Sequence, residues 1–163
     1  MSADTAALRI DVADLLSHPA GRRAVHLEVP VAGLTSTAAA VPADEPVVLD
    51  LLLERVPDGI VVRGILHTVW RAECSVCLAD LVRSIDVTVN ELFEPEPVEG
   101  DTYPLLGHVI DLEQLVRDGV LLELPLAPAC VDVGAPPCTP ETPPDRDGAA
   151  VDPRWAALSE LDL

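Results

Sequence analysis

Lysine is absent from this chain, and its ten basic residues, all arginine, face 28 acids for a net charge of −18. Nucleic-acid backbones are bound by displacing counterions with Lys and Arg, so this balance argues against a broad phosphate-binding surface. It suits a basic protein partner, or simply solubility. Aromatic side chains are scarce: Trp70, Phe93, Tyr103 and Trp155 are the only ones. With 49% apolar residues, the core must be built from Val, Leu and Ala instead. No run of 18 apolar residues occurs; the richest stretch, 119–130, is broken by Glu123 and two prolines, so no membrane span is expected. Residues 1–7 carry an acid and no basic region of the kind that opens a secretory leader, which points to the cytoplasm. Phosphate loops, Gly-x-Ser-x-Gly and His-Glu-x-x-His are all missing, and no carboxylate pair stands out among so many. An enzyme is not expected.

Cysteine is present only four times, as Cys74 and Cys77 in mid-chain and Cys130 and Cys138 downstream. A C-x2-C at a hairpin tip is half of a four-thiolate zinc site, because the turn brings two sulfurs within reach of one ion. The second half, C-x7-C, is looser than the usual spacing of two to four residues. Cys130 follows Leu124-Pro-Leu-Ala-Pro, a stiff segment able to carry it back to that tip. In a reducing compartment, paired cysteines are more often metal ligands or redox groups than structural disulfides. A tetrahedral thiolate site stabilises by roughly 10–16 kcal/mol, against about 2–4 kcal/mol for a disulfide. Zinc held by Cys74, Cys77, Cys130 and Cys138 is therefore the stronger way to pin segment 125–138. Two other readings stand beside it. The two pairs could share no ion, or Cys74 and Cys77 could form a thiol redox sensor. The redox chemistry favours a C-x-x-C that opens a helix, whereas strands flank this one.

A length of 163 residues fits one domain, which the pattern places at 1–138. A Pro-rich linker at 139–151, expected to be disordered, leads to a short C-terminal helix at 152–163. Residues 8–15 and 24–31 read as strands around a turn at 18–21, and 34–46 as a loop. Segments 47–56, 60–73 and 79–93 alternate with period two. A turn at Asp58-Gly59 sets Val47, Leu49, Leu51 and Leu53 opposite Trp70, Thr68, Leu66 and Gly64. A turn at Ser75-Val76 sets Val62, Gly64, Leu66, Trp70 and Cys74 opposite Val89, Val87, Ile85, Leu81 and Cys77. Both registers bury the same face of the middle strand, and a slip of one residue would send that set to water.

On the reverse face Arg63, His67 and Arg71 recur every four residues like a stripe for RNA. The same registers place Glu54, Asp50 and Asp80 opposite them, and such cross-strand pairs contribute roughly 0.2–1 kcal/mol each. The stripe is expected to be neutralised within the sheet. An acidic, Pro-rich loop follows at 94–101, and then a helix over 111–123 that starts on an Asp111 cap with Gln114 closing a capping box. His18, His26, His67 and His108 are scattered and read as structural or surface residues. In the last segment Trp155, Leu158 and Leu161 share one helical face behind an Asp152-Pro153 start, suited either to a partner or to the protein's own core.

Taken together, residues 73–78 (Glu-Cys-Ser-Val-Cys-Leu), 91–93 (Glu-Leu-Phe), 111–113 (Asp-Leu-Glu), 124–130 (Leu-Pro-Leu-Ala-Pro-Ala-Cys) and 152–158 (Asp-Pro-Arg-Trp-Ala-Ala-Leu) resemble the YceD family of large-ribosomal-RNA-subunit accumulation proteins. The resemblance implies a cytoplasmic bacterial protein needed for normal accumulation of 23S ribosomal RNA. The family's second cysteine cluster resembles C-x3-C-x3-C-x2-C-G; Cys130 and Cys138 match two of its positions, and Gly134 and Glu141 stand at the others. The expectation is an α+β fold, an antiparallel meander-rich sheet, curled or partly closed, with one main helix and a short C-terminal one. Its expected function is a non-enzymatic ribosome-biogenesis factor contacting a ribosomal protein or pre-ribosomal particle. Direct ribosomal-RNA binding through Arg22, Arg23, Arg63, Arg71 and Arg83 is the alternative.

Overall fold

Three segments in which Val, Leu and Ile alternate with polar residues become the long strands on which everything else is hung. The computed structural model describes residues 3–140. In chain order these form β1 (Arg9–Asp11), α1 (Ala13–Ser17), β2 (Arg22–Pro30), β3 (Ala39–Ala40), β4 (Pro46–Val56), β5 (Gly59–Glu73), β6 (Asp80–Glu94), β7 (Tyr103–Leu106), β8 (Val109–Asp111) and α2 (Glu113–Glu123). Single 3-10 turns occupy Ala3–Leu8 and Cys130–Val133. The strands join one curled, half-barrel sheet in the order β1-β8-β7-β6-β5-β4-β2, with β3 paired to the end of β5 that β4 does not reach.

The sheet is mixed, not purely antiparallel. Loop 95–102 coils back on itself, with Val98 N–H donating to Thr102 Oγ1 at 2.7 Å. It returns the chain to the end of β6, where Phe93 pairs with Tyr103 in parallel. Periodicity gave no sign of the small β7–β8 hairpin. At the start of the chain the expected strand over 8–15 is only β1, because Asp11 Oδ1 accepts the Ala13 N–H at 2.8 Å and turns the chain into α1. Asp111 Oδ1 likewise accepts the Glu113 N–H at 3.0 Å, but Gln114 donates to Asp118 at 2.7 Å and so closes no capping box. Residues 141–163, which include Trp155, Leu158, Leu161 and most of the Pro-rich linker, lie outside the described residues.

Both hairpin registers differ from expectation by two residues. Leu49 faces Leu66 and Leu53 faces Val62, so the first turn is Pro57-Asp58. Gly59 belongs to β5 because a Cβ there would lie 2.0 Å from the Phe93 carbonyl oxygen; close approach, not turn geometry, demands the glycine. In the second hairpin Leu66 faces Val87 and Glu73 faces Asp80, leaving Cys74–Ala79 as the loop, so Cys74 and Cys77 are not a cross-strand pair. A shift of two preserves which face is buried. Trp70 and Ala72 share a face, Ala72 opposes Leu81, and both Trp70 and Leu81 are buried.

Val47, Leu49, Leu51, Leu53, Val62, Leu66, Val87 and Val89 form the inner layer, and α2 covers it with Leu115, Val116 and Val120. Gly119 lets the helix settle close, since a Cβ there would already be 3.3 Å from Val87 Cγ1. Phe93 stacks on Tyr103 with centroids 5.2 Å apart. The terminal strands of the sheet, β1 and β2, are joined only by residues 12–21. Arg23 bridges them, donating to the Asp11 carbonyl at 2.7 Å and to Asp14 Oδ1 at 3.0 Å.

Candidate metal centre

β5 and β6 run fifteen residues each and carry the Cys74–Ala79 loop to the far tip of the sheet. The loop is closed by Cys74 N–H donating to the Ala79 carbonyl at 2.8 Å and Leu78 N–H to the Cys74 carbonyl at 3.0 Å. This winding places Leu78 at φ 61° and turns the two sulfurs inward on one side. The second pair arrives from the segment after α2. Ser75 N–H donates to the Pro128 carbonyl at 2.7 Å, locking that segment against the tip. The 3-10 turn at Cys130–Val133 is held by Ala129 N–H donating to Asp132 Oδ2 at 2.8 Å and ends at Gly134, φ 78°. Arg83 on β6 donates to the Asp132 carbonyl.

All four sulfurs lie within 4.8 Å of one another, with Cys74–Cys138 and Cys77–Cys130 at 3.5 Å. None forms a disulfide. Tetrahedral thiolates around a zinc-sized ion, at about 2.3 Å each, would stand roughly 3.8 Å apart, inside the observed spread. The group could hold a metal ion. Cys74 and Cys130 are buried, Cys77 and Cys138 half-buried. The amides of Cys77 and Val76 face Cys74 Sγ and lower its pKa to about 6, against the push of burial. Cys130 donates its S–H towards the Cys77, Cys138 and Cys74 sulfurs, and these hydrogen bonds, with burial behind them, push it up to about 12. Burial also raises Cys138. Cys74 thus ionises more readily than a free thiol, while hydrogen bonding and burial hold Cys130, and burial Cys138, in the protonated form.

The stiff Leu124–Pro128 segment does return Cys130 to the tip, as its composition suggested. Sequence reasoning missed the supports: Asp132 in its reciprocal turn, Gly134 in the left-handed region, and the Ser75–Pro128 clamp. Only the glycine, four residues after Cys130, left a readable signal. No histidine takes part. His26 pairs with Asp50 at 2.6 Å, His67 with Asp86 at 2.5 Å, His108 approaches Asp11 at 3.5 Å, and His18 Nδ1 bonds the Asp14 carbonyl at 2.9 Å.

The reverse face is neutralised largely within the sheet, by the expected partner for Arg63 but not for His67 or Arg71. Arg63 reaches Glu54 at 2.8 Å diagonally, and Arg22 takes the other oxygen of Glu54 at 2.7 Å. Asp86, not Asp50, serves His67. Arg71 opposes Val82, not Asp80, and among the described residues it has no ion-pair partner. A second concavity, about 600 Å³, is lined by Glu91, Glu99, Asp101, Tyr103, Gln114 and Asp118 among others. Tyr103 Oη donates to Asp118 at 2.9 Å there. Among the described residues no helix is long and apolar enough to cross a membrane.

A family model described as "Large ribosomal RNA subunit accumulation protein YceD" matches residues 62–162. Uncharacterized proteins of Mycobacterium tuberculosis and Mycobacterium leprae are each 33% identical to the chain, over 129 and 135 residues. These alignments cover 69% and 71% of the chain but only 60% and 59% of the relatives. The chain thus spans about three-fifths of the length of the curated relatives it matches. No solved structure matches it.

Proposed function

This chain belongs to the YceD family, and from that premise we propose that it is a non-enzymatic ribosome-biogenesis factor supporting accumulation of the large-subunit (23S) ribosomal RNA. It acts in the cytoplasm through a basic ribosomal protein or a pre-ribosomal particle, not by gripping bare RNA. The observation that carries this reading is the state of its arginines. Among the described residues Arg9, Arg22, Arg23, Arg63 and Arg117 are ion-paired, Arg55 and Arg83 are committed to backbone carbonyls, and Arg71 alone has no such partner. With a net charge of −18, little cationic surface is left to displace phosphate counterions. An acidic escort of this kind would shield a basic ribosomal protein before it meets RNA. The tagged protein should enrich ribosomal proteins or large-subunit precursors at moderate salt; enrichment of neither would refute the partner assignment. Tight binding of a naked ribosomal-RNA fragment that weakens steeply with salt would favour the direct RNA reading.

The ion suited to four converging soft sulfurs is zinc, which Cys74, Cys77, Cys130 and Cys138 would hold. Zinc here would supply structure, not reactivity: it would neutralise the thiolates and staple segment 125–138 to the hairpin tip. Elemental analysis of protein purified without chelator should find one zinc per chain, lost in Cys74→Ser. Iron in its place, or no metal at all, would overturn the assignment.

A further inference from the structure

Beside the cysteine group runs a groove of about 350 Å³ lined by Thr37, Glu73, Cys74, Leu78, Leu126 and Pro128, among others. Its two leucines are out of place in a solvated position. Leu126 is 81% exposed and Leu78 71% exposed. Leu78 also sits at φ 61°, a conformation that leucine seldom adopts. Nothing among the described residues covers either side chain. Glu73 on the same wall has no ion-pair partner among the described residues.

We propose that this groove seats the chain's own terminal segment, residues 152–163, with Trp155 and Leu158 covering Leu78 and Leu126 and Arg154 meeting Glu73. This does not rest on the ribosomal reading. The described residues end at Pro140. Pro140 is two residues past Cys138, whose sulfur lies 3.5 Å from that of Cys74 on the groove wall. The tether therefore starts at the groove. The eleven residues 141–151 can span up to roughly 35 Å when extended, so reach is not limiting. A short tether presents its end at an effective concentration in the millimolar range, on the order of 10⁻³ M, so a weak apolar contact is populated within one chain before a second copy competes. The chemistry is matched as well: Trp155, Leu158 and Leu161 recur every three residues in the sequence, and Arg154 is the nearest cation to them.

The test reads Trp155 fluorescence in the full chain, taken as the difference between the wild type and Trp155→Phe, because Trp70 is buried in both. Trp155 should be several-fold less quenchable by acrylamide than in denaturant. The double variant Leu78→Asp/Leu126→Asp, which alters only exposed side chains, should restore full quenching, while Leu122→Asp on the exposed side of α2 should not. Three results would overturn the proposal: a Trp155 freely quenched in the wild type, protection unaffected by the double variant, or protection that disappears on dilution. The last would place the segment of a second copy in the groove.

Discussion

Gly64, midway along β5, has φ 154°, and a Cβ there would lie 2.0 Å from the Asp50 carbonyl oxygen. Gly64→Ala is expected to cost about 3 kcal/mol or more in denaturant unfolding, since neither backbone can retreat without breaking the ladder. Gly100→Ala, at φ 84° with open space around it, should cost only about 1 kcal/mol. Glu91 offers a test in pH. Burial, then the charge of Asp118, raises its pKa above the ordinary 4.5. The folded protein therefore holds a proton that the unfolded chain has already released, and stability falls as pH rises from 4.5 through the folded value. Glu91→Gln should stabilise the protein at pH 7 and remove that slope, leaving stability near pH 4 unchanged. Single residues were the least legible scale. Asp58-Gly59 carries a turn signature, yet Gly59 answers to Phe93, thirty-four positions away, and no local pattern holds that information.

At the scale of elements the sequence was more open. Strands β4, β5 and β6 and helix α2 follow from alternation and helical spacing, because one face of each must be buried whatever the register. The buried set survived a two-residue slip for that reason. The β7–β8 hairpin escaped because its strands are only three or four residues long, and β1 was read as a longer strand because its pairing with β8, about a hundred positions away, covers only Arg9–Asp11. The cysteine tip was legible in part: four thiols and a stiff return segment could be read, whereas the clamp from Ser75 to Pro128 is tertiary. Its consequence can be measured. If metal holds the tip, stripping it with chelator should raise amide exchange at residues 74–79 and 128–135 by at least tenfold. The β4–β5 ladder should keep its protection, since its burial lies elsewhere. Equal loss in both regions would show that the tip and the sheet open as one unit.

For the molecule as a whole, charge sets the behaviour. A net charge of −18 on 163 residues repels itself over distances comparable to the Debye length, about 10 Å at 0.1 M salt. Raising ionic strength from about 0.02 to 0.5 M, a range that takes the Debye length from over 20 Å to under 5 Å, should raise the melting temperature by several degrees. A flat or falling profile would mean that the ion pairs lost to screening outweigh the relief. The same screening should release a basic partner. The bridge made by Arg23 carries a further consequence. Strands β1 and β2 are the two borders of the sheet; the 3-10 turn at Ala3–Leu8 packs against both, and the Arg23 guanidinium ties β2 to the end of β1. Removing it with Arg23→Ala should loosen these borders and raise concentration-dependent association, read by light scattering. Part of the protection against polymerising would then rest on one side chain at that seam, with the Ala3–Leu8 turn and mutual repulsion between acidic surfaces as the other safeguards.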